Sequence, residues 1–275
     1  MDNIIVSCVQ FSYKPIGTFE EFTKNIESLL KQTKGSDFVV FPETFTLELQ
    51  YLISEFDFSK LHRYTEDYIN LFTYFSQKSN QYIIAGSHII VENDKEYNTS
   101  YLFYPDGTIF THRKTHIFPL EAKMGVSPGN KIDIFDTEKT KIGIAICYEM
   151  EFPEVARKIT LKGADLIFCP SYTIGEHGFW RVRHCCQARA IENQIYVAHL
   201  CMVGKSPLNG MEGWGKSSIL SPCEDPWQSN GIIAEAKVNE EMVINADLDL
   251  NVLHKKRKRG AATTLKDRRP EIYNL

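Results

Sequence analysis

Three side chains in this 275-residue chain could together perform nucleophilic chemistry: Cys147, Glu43 and Lys114. Each ends an apolar run. Glu43 follows Phe38-Val39-Val40-Phe41-Pro42, Lys114 closes the run from Ile109 to Arg113, and Cys147 follows Ile142 to Ile146. Strand ends are where α/β folds gather their sites. At a strand-to-helix junction, backbone N–H groups and the helix dipole favour the thiolate, which is the nucleophile. A nearby ammonium such as that of Lys114 would favour it further. A carboxylate such as Glu43 can take the thiol proton and later activate water. Lys114 also suits the oxyanion that develops on a substrate carbonyl, together with a backbone N–H such as that of Tyr148. Taken singly, each residue has an ordinary structural reading. A cysteine ending a strand is usually buried packing, a glutamate after proline usually favours a helix start, and a lysine at a hairpin end is usually solvated. The combination is what points to chemistry.

The elements that would position these groups follow from periodicity. Residues 3–11 read as a buried strand. Thr18 and Glu21 form a capping-box signature for a helix carrying Phe19, Phe22, Ile26, Leu29 and Leu30, with Gly35 as its stop. Residues 37–41 predict a second strand ending at Pro42-Glu43. Tyr68, Leu71, Phe72 and Phe75 mark a second helix, and residues 82–90 a third strand. Tyr97 to Lys114 predicts a hairpin turning at Pro105-Asp106-Gly107. Residues 141–146 predict a strand running into Cys147, and Pro153 suits the first turn of the next helix. A strand at 165–169, a helix at 179–193, a strand at 195–201 and two strands within 231–248 complete the pattern. Strands and helices alternate with antiparallel hairpins inserted, which implies α/β layers around sheets.

Composition bounds the class. Apolar residues make up 43% and charged residues 24%, ordinary values for a soluble globular chain, and no linker divides residues 1–275, so one domain is expected. A net charge of −4 gives no sign of a nucleic-acid or membrane partner. The N-terminal Met1-Asp2-Asn3-Ile4-Ile5-Val6 lacks the pattern of a secretory signal, and no apolar stretch approaches the roughly 18–20 residues that span a bilayer. The seven cysteines show no CxxC spacing, so a reducing cytoplasm is the expected compartment. His112 and His116 have a spacing that serves a metal only on a helix, and they leave a hairpin strand, so no metal is expected. Cys185-Cys186 is explained by packing in a helix. The basic run Lys255 to Arg259 is read as a solvated tail or a dimer contact. Nothing in the spacing favours pairing Cys147 with His177 or His199 over Glu43 and Lys114.

The segments Val39-Val40-Phe41-Pro42-Glu43, His112-Arg113-Lys114-Thr115-His116 and Ile144-Ala145-Ile146-Cys147-Tyr148-Glu149-Met150-Glu151-Phe152-Pro153-Glu154 resemble the nitrilase superfamily, the carbon–nitrogen hydrolases. The spacings fit, with 71 residues from Glu43 to Lys114 and 33 from Lys114 to Cys147. Similarity continues through Gly163 to Leu166 and Gln187 to Asn193. The resemblance implies a four-layer αββα sandwich, a Glu43–Lys114–Cys147 triad, no cofactor, and a homodimer or higher homo-oligomer pairing through the layer outside the sheets. Members often carry a second glutamate shortly after the lysine, and Glu121 fits that place. Thr173 to Asn193 and Leu265 to Pro270 look like a branch sometimes fused to an acetyltransferase domain.

The implied reaction is hydrolysis of a small carboxamide through a thioester on Cys147. A nitrilase, an N-carbamoyl-amine hydrolase and a non-catalytic binding protein on the same scaffold are the rivals. Two positions depart from the commonest pattern. Glu149 stands where aspartate is usual, and Glu151 where arginine is frequent, so Glu151 could hold a substrate amine or pair with Arg181 or Arg183. Loops 46–64, 121–130 and 172–180 would shape the pocket, with Phe45, Tyr172 and Trp180 as expected lining.

Overall fold

In the computed structural model, residues 3–54, 57–207 and 210–273 are described. Met1 and Asp2 of the N-terminal reading and residues 55–56 of the 46–64 loop lie outside them. The strands are β1 (Asn3–Ser12), β2 (Phe38–Val40), β3 (Tyr82–Ile84), β4 (His88–Glu92), β5 (Lys95–Phe103), β6 (Ile109–Arg113), β7 (Ile134–Asp136), β8 (Lys141–Ile144), β9 (Leu166–Ser171), β10 (Tyr196–Lys205), β11 (Glu212–Gly213), β12 (Ser218–Leu220), β13 (Ile232–Glu235) and β14 (Met242–Asp249). The helices are α1 (Phe19–Leu30), α2 (Thr65–Ser79), α3 (Pro119–Lys123), α4 (Pro153–Leu161), α5 (Gly175–Asn193), α6 (Leu250–Arg259) and α7 (Pro270–Tyr273).

Two parallel triads form the centre, β1-β2-β3 in one sheet and β8-β9-β10 in the other. Antiparallel strands extend both. β14 runs along β1 and the β5–β6 hairpin adds beyond β3 in the first sheet, while β7 and β12–β13 flank the second. The sheets join at one corner, where the last residues of β1 leave β14 and pair with β10 at Phe11↔Met202 and Ser12↔Val203.

Strand alternation sorts the side chains into layers. Ile4, Val6, Cys8, Phe38, Val40 and Ile84 face inward and pack with Ile142, Ile144, Leu166 and Phe168 of the second sheet. The Phe38 and Phe168 rings meet across the gap with centroids 5.7 Å apart. The opposite faces of β1, β2 and β3 give Val9, Phe11, Val39, Phe41 and Ile83 to a separate cluster with Phe22 and Ile26 of α1 and Tyr68, Phe72 and Phe75 of α2. On the far side of the second sheet, α4 and α5 bury Val155, Ile159, Val182, Cys186 and Ala190. The result is the four-layer αββα sandwich. Gly143 lets α4 lie close, because a Cβ there would meet Ile159 Cγ2 at 2.2 Å.

The structure corrects several boundaries. Residues 82–90 form two strands rather than one, broken around Gly86, whose φ of +54° is left-handed. A Cβ at Gly86 would stand 2.0 Å from the Pro42 carbonyl oxygen, so this break is what admits the loop carrying Glu43. The helix expected at 179–193 starts at Gly175, and the strand expected at 195–201 continues to Lys205. The basic run is not a free tail. It lies in α6, where Arg257 donates to Asp165 at 2.5 Å, to the Gln194 carbonyl at 2.7 Å and to the Ala164 carbonyl at 3.0 Å.

Candidate active site

Glu43, Lys114, Glu121 and Cys147 arrive from four segments and line one cavity. Glu43 sits just past β2, and Thr44 after it is left-handed at φ +49°. Lys114 is the residue after β6, its backbone N–H donating to the Asn98 carbonyl at 2.9 Å. Glu121 belongs to α3, where its Oε2 accepts from the Phe118 N–H at 3.1 Å. Cys147 opens a 3-10 turn (Cys147–Glu151) that separates β8 from α4. Its φ of +48° is costly for a residue with a Cβ.

The polar contacts are dense. Lys114, 1% exposed, donates from Nζ to Glu43 Oε1 at 2.7 Å and to Glu121 Oε2 at 2.5 Å. Glu43, 4% exposed, accepts at Oε2 from the Tyr172 N–H at 2.9 Å. The Cys147 thiol points toward the Tyr172 carbonyl oxygen, 3.9 Å away. Burial pushes the Glu43 carboxyl above its ordinary value, and Glu121 beside it adds to this, against the downward pull of Lys114. Burial would lower the ammonium of Lys114, but Glu43 and Glu121 outweigh it and hold the lysine charged.

The thiol departs from the sequence-based expectation. Burial first, and then the charge of Glu43, push Cys147 well above the usual thiol range, with Lys114 only partly offsetting them. The next α-helix along the chain starts six residues later at Pro153, so Cys147 does not sit at the strand-to-helix junction expected from the sequence. Burial and the neighbouring carboxylate thus favour the neutral form of this thiol.

Residues 5–258 match the sequence profile of the carbon–nitrogen hydrolases. The chain belongs to the carbon–nitrogen hydrolase family. Among its relatives, the "Probable hydrolase YhcX" of Bacillus subtilis is 43% identical over 279 residues, which cover 98% of this chain and 54% of that protein, so the chain spans about half of that relative's length. Omega-amidase NIT2-B of Xenopus laevis is 31% identical over 98% of this chain and 96% of its own length. The crystal structure of Saccharomyces cerevisiae Nit3, a nitrilase-superfamily member, superposes with a TM-score of 0.78 at 26% identity, covering 97% of each chain.

Within this carbon–nitrogen hydrolase fold, Tyr148, Glu151 and Tyr172 line the cavity. Phe45 and Trp180 do not. Phe45 is fully buried on the other side of the first sheet, 5.2 Å from Phe41 and 5.6 Å from Phe11 between ring centroids. The left-handed turn at Thr44 sends it there. Trp180 is 39% exposed and lies against His184 and Glu176, because the cavity is met by Gly178, Arg181 and Val182 one helical step away. Glu151 accepts at both oxygens from Arg181 Nε, at 2.9 and 2.8 Å. No histidine lines the cavity among the described residues, and His199 instead stacks on Phe179 at 5.6 Å. Glu149 Oε2 accepts from His112 Nε2 at 2.8 Å.

Two residues escaped the sequence reading as parts of the site. Asn98, in β5 and 1% exposed, donates from Nδ2 to Glu43 Oε1 at 3.0 Å and to Glu121 Oε1 at 2.8 Å. One amide thus clamps both carboxylates around Lys114. The signal available was the polar run Asn98-Thr99-Ser100 directly ahead of apolar Tyr101-Leu102-Phe103 in one strand. Glu149 is more than a mild change from aspartate. Fully buried, it accepts from the Ile146 N–H at 2.7 Å and from the Thr115 N–H at 2.9 Å, so it ties the Cys147 turn to the residue after Lys114.

Replacing Asn98 by alanine is expected to lower kcat about ten- to a hundredfold, since a hydrogen bond to a charged group contributes about 1.5–3 kcal/mol. Losing a donor also raises the pKa of the Glu43 carboxylate. The acid limb of kcat/KM should therefore move to higher pH, and an unshifted limb would reduce Asn98 to packing.

Proposed function

We propose that this carbon–nitrogen hydrolase cleaves the C–N bond of a small carboxamide, releasing ammonia or an amine, with Cys147 as nucleophile, Glu43 as general base, Lys114 as oxyanion stabiliser and Glu121 as an aid to positioning and proton transfer. The observation that carries this reading is the buried Lys114 ammonium held between Glu43 and Glu121 in the same cavity as Cys147, whose backbone is strained. A carboxylate held above its ordinary pKa is a stronger base at neutral pH than an exposed one.

In the first half-reaction Glu43 takes the thiol proton as Sγ attacks the amide carbon. The carbonyl oxygen becomes an oxyanion beside Lys114 and the Tyr148 backbone N–H. Glu43 then passes its proton to the leaving nitrogen, the C–N bond breaks, and an acyl thioester remains on Cys147. Water, deprotonated by Glu43, attacks the thioester in the second half, and the thiolate leaves as the acid forms and regains its proton. Relatives named as omega-amidases, 29–32% identical, support an amide, while a relative named as a nitrilase, 30% identical, keeps the nitrile as the rival substrate.

The chemistry invokes no cofactor or metal. The seven cysteines are all free, which supports a reducing, cytoplasmic setting. Exposed Leu161 on α4 and Ile191 on α5 suit a homodimer or higher homo-oligomer joined through the outer helical layer.

A paired assay of an amide, its nitrile and the matching N-carbamoyl amine tests the reading. Ammonia from the amide, with kcat/KM at least tenfold above the other two, is expected. Preferential turnover of the nitrile, or carbon dioxide released with ammonia from the carbamoyl compound, would replace it with one of those activities. The base must be ionised in the free enzyme, so kcat/KM should fall as pH drops through the Glu43 pKa. Because burial raises that pKa, the acid limb is expected above the value of about 4.3 found for an exposed glutamate.

A further inference from the structure

Beyond the reacting atoms, the cavity has walls and an outer end whose chemistry selects the acyl group. Leu47, Phe118, Leu120, Met124, Ile174 and Val182 make its sides apolar. Its ionisable side chains of fixed sign are Glu43, Glu121 and Lys114 at the buried floor and Glu151 and Arg181 at the outer end, where the side chains are 15% and 49% exposed. Three carboxylates thus face two cations, and a substrate carboxylate would add to an existing excess of negative charge.

The outer pair decides what a substrate tail meets. Arg181 is the lining cation not consumed at the floor, and its Nε is held by both oxygens of Glu151. The same contact occupies the anion that a substrate amine would need, which removes the amine-binding role open to Glu151 from sequence. A charged tail would have to break this pair or lie unpaired against apolar walls, and an unpaired charge out of water is costly.

We infer that the site selects amides with an uncharged, apolar acyl chain, and that Glu151 enforces this by masking Arg181. The inference rests on the amidase reading above and specifies its substrate class. Glu151 is a specificity determinant that acts through Arg181, and the discrimination works by repelling the wrong tail as much as by fitting the right one.

Three primary amides of matched length test it: pentanamide, glutaramate and 5-aminopentanamide. With the unaltered protein, kcat/KM for pentanamide should exceed that for either charged amide at least tenfold. Glu151→Gln keeps the shape and removes the charge, so it should raise the glutaramate-to-pentanamide ratio at least tenfold. Arg181→Gln should raise the 5-aminopentanamide-to-pentanamide ratio instead. Dissociation constants for the same amides on Cys147→Ser, measured by calorimetry with and without Glu151→Gln, read the ranking without turnover. Hydrolysis failing while pentanamide still binds best counts against the amidase reading and for this selectivity. Preference of the unaltered site for glutaramate, ratios unmoved by Glu151→Gln, or no binding of pentanamide would overturn the inference.

Discussion

Cys147→Ala is expected to lower kcat for the amide by about 10⁴-fold or more, the scale seen when a covalent nucleophile is removed, while leaving the fold in place. The asymmetry follows from the geometry. The thiol is buried, yet its one hydrogen-bonding contact among the described residues is a long approach to the Tyr172 carbonyl at 3.9 Å. Its loss removes one sulfur from a cavity wall that is already open on one side, so stability should change by no more than about 1 kcal/mol. Circular dichroism and thermal unfolding of the variant check the second half of the expectation, and an ammonia assay checks the first. Full activity in Cys147→Ala would remove the nucleophile from the mechanism.

Lys114→Met should be costly in both currencies. The ammonium neutralises two buried carboxylates at 2.7 and 2.5 Å. Methionine fills much of the same volume but leaves Glu43 and Glu121 facing each other without a cation. Breaking a buried pair by removing one partner costs about 3–5 kcal/mol, which for a chain of this size lowers Tm by roughly 10 °C.

The pH dependence of that loss has a definite sign. Without Lys114 the Glu43 carboxyl, which burial already raises, has a folded pKa raised still further above its unfolded value, so the native state binds more protons than the unfolded state. Stability of the variant then falls as pH rises through that folded value. The Tm gap between variant and parent should therefore be larger at pH 8 than at pH 5. A gap independent of pH would mean that the carboxylates are not what Lys114 holds. Turnover should fall at least a hundredfold at any pH, since the oxyanion loses its charged partner.

The meeting of Glu43, Lys114 and Cys147 at one cavity was legible in the sequence because each follows a strand, and strand ends meet at one side of a sandwich. The hairpin carrying Lys114 was legible for a local reason: Pro105-Asp106-Gly107 dictates a turn, and the pairing of Ser100 with His112 follows from it. Residues that serve the site from the middle of an element left weaker traces. Asn98 lies inside β5, and only its three-residue polar run marks it. Glu149 could be located by similarity, but its hold on both Ile146 and Thr115 depends on two segments 34 residues apart.

The misplaced residues failed for physical reasons of equal interest. Phe45 is two positions from Glu43, yet a left-handed residue between them turns the chain and sends the ring to the opposite face of the sheet. Trp180 falls on the helix that borders the cavity, but its phase points it outward while Arg181 and Val182 face in. The state of the Cys147 thiol depends on burial and on the charge balance of its neighbours, neither of which a strand-to-helix pattern reveals. The 3-10 turns at Phe45–Leu52 and Phe58–Tyr64 carry no sustained hydrophobic period, so nothing marked them.

The most direct test of covalent catalysis is intact-mass spectrometry of the protein after rapid acid quench during turnover of a good amide. A mass gain equal to the amide minus ammonia, mapped to the peptide containing Cys147 and missing from Cys147→Ala, is the expected result. Steady release of ammonia with no adduct at Cys147, or the same adduct carried by Cys147→Ala, would contradict it.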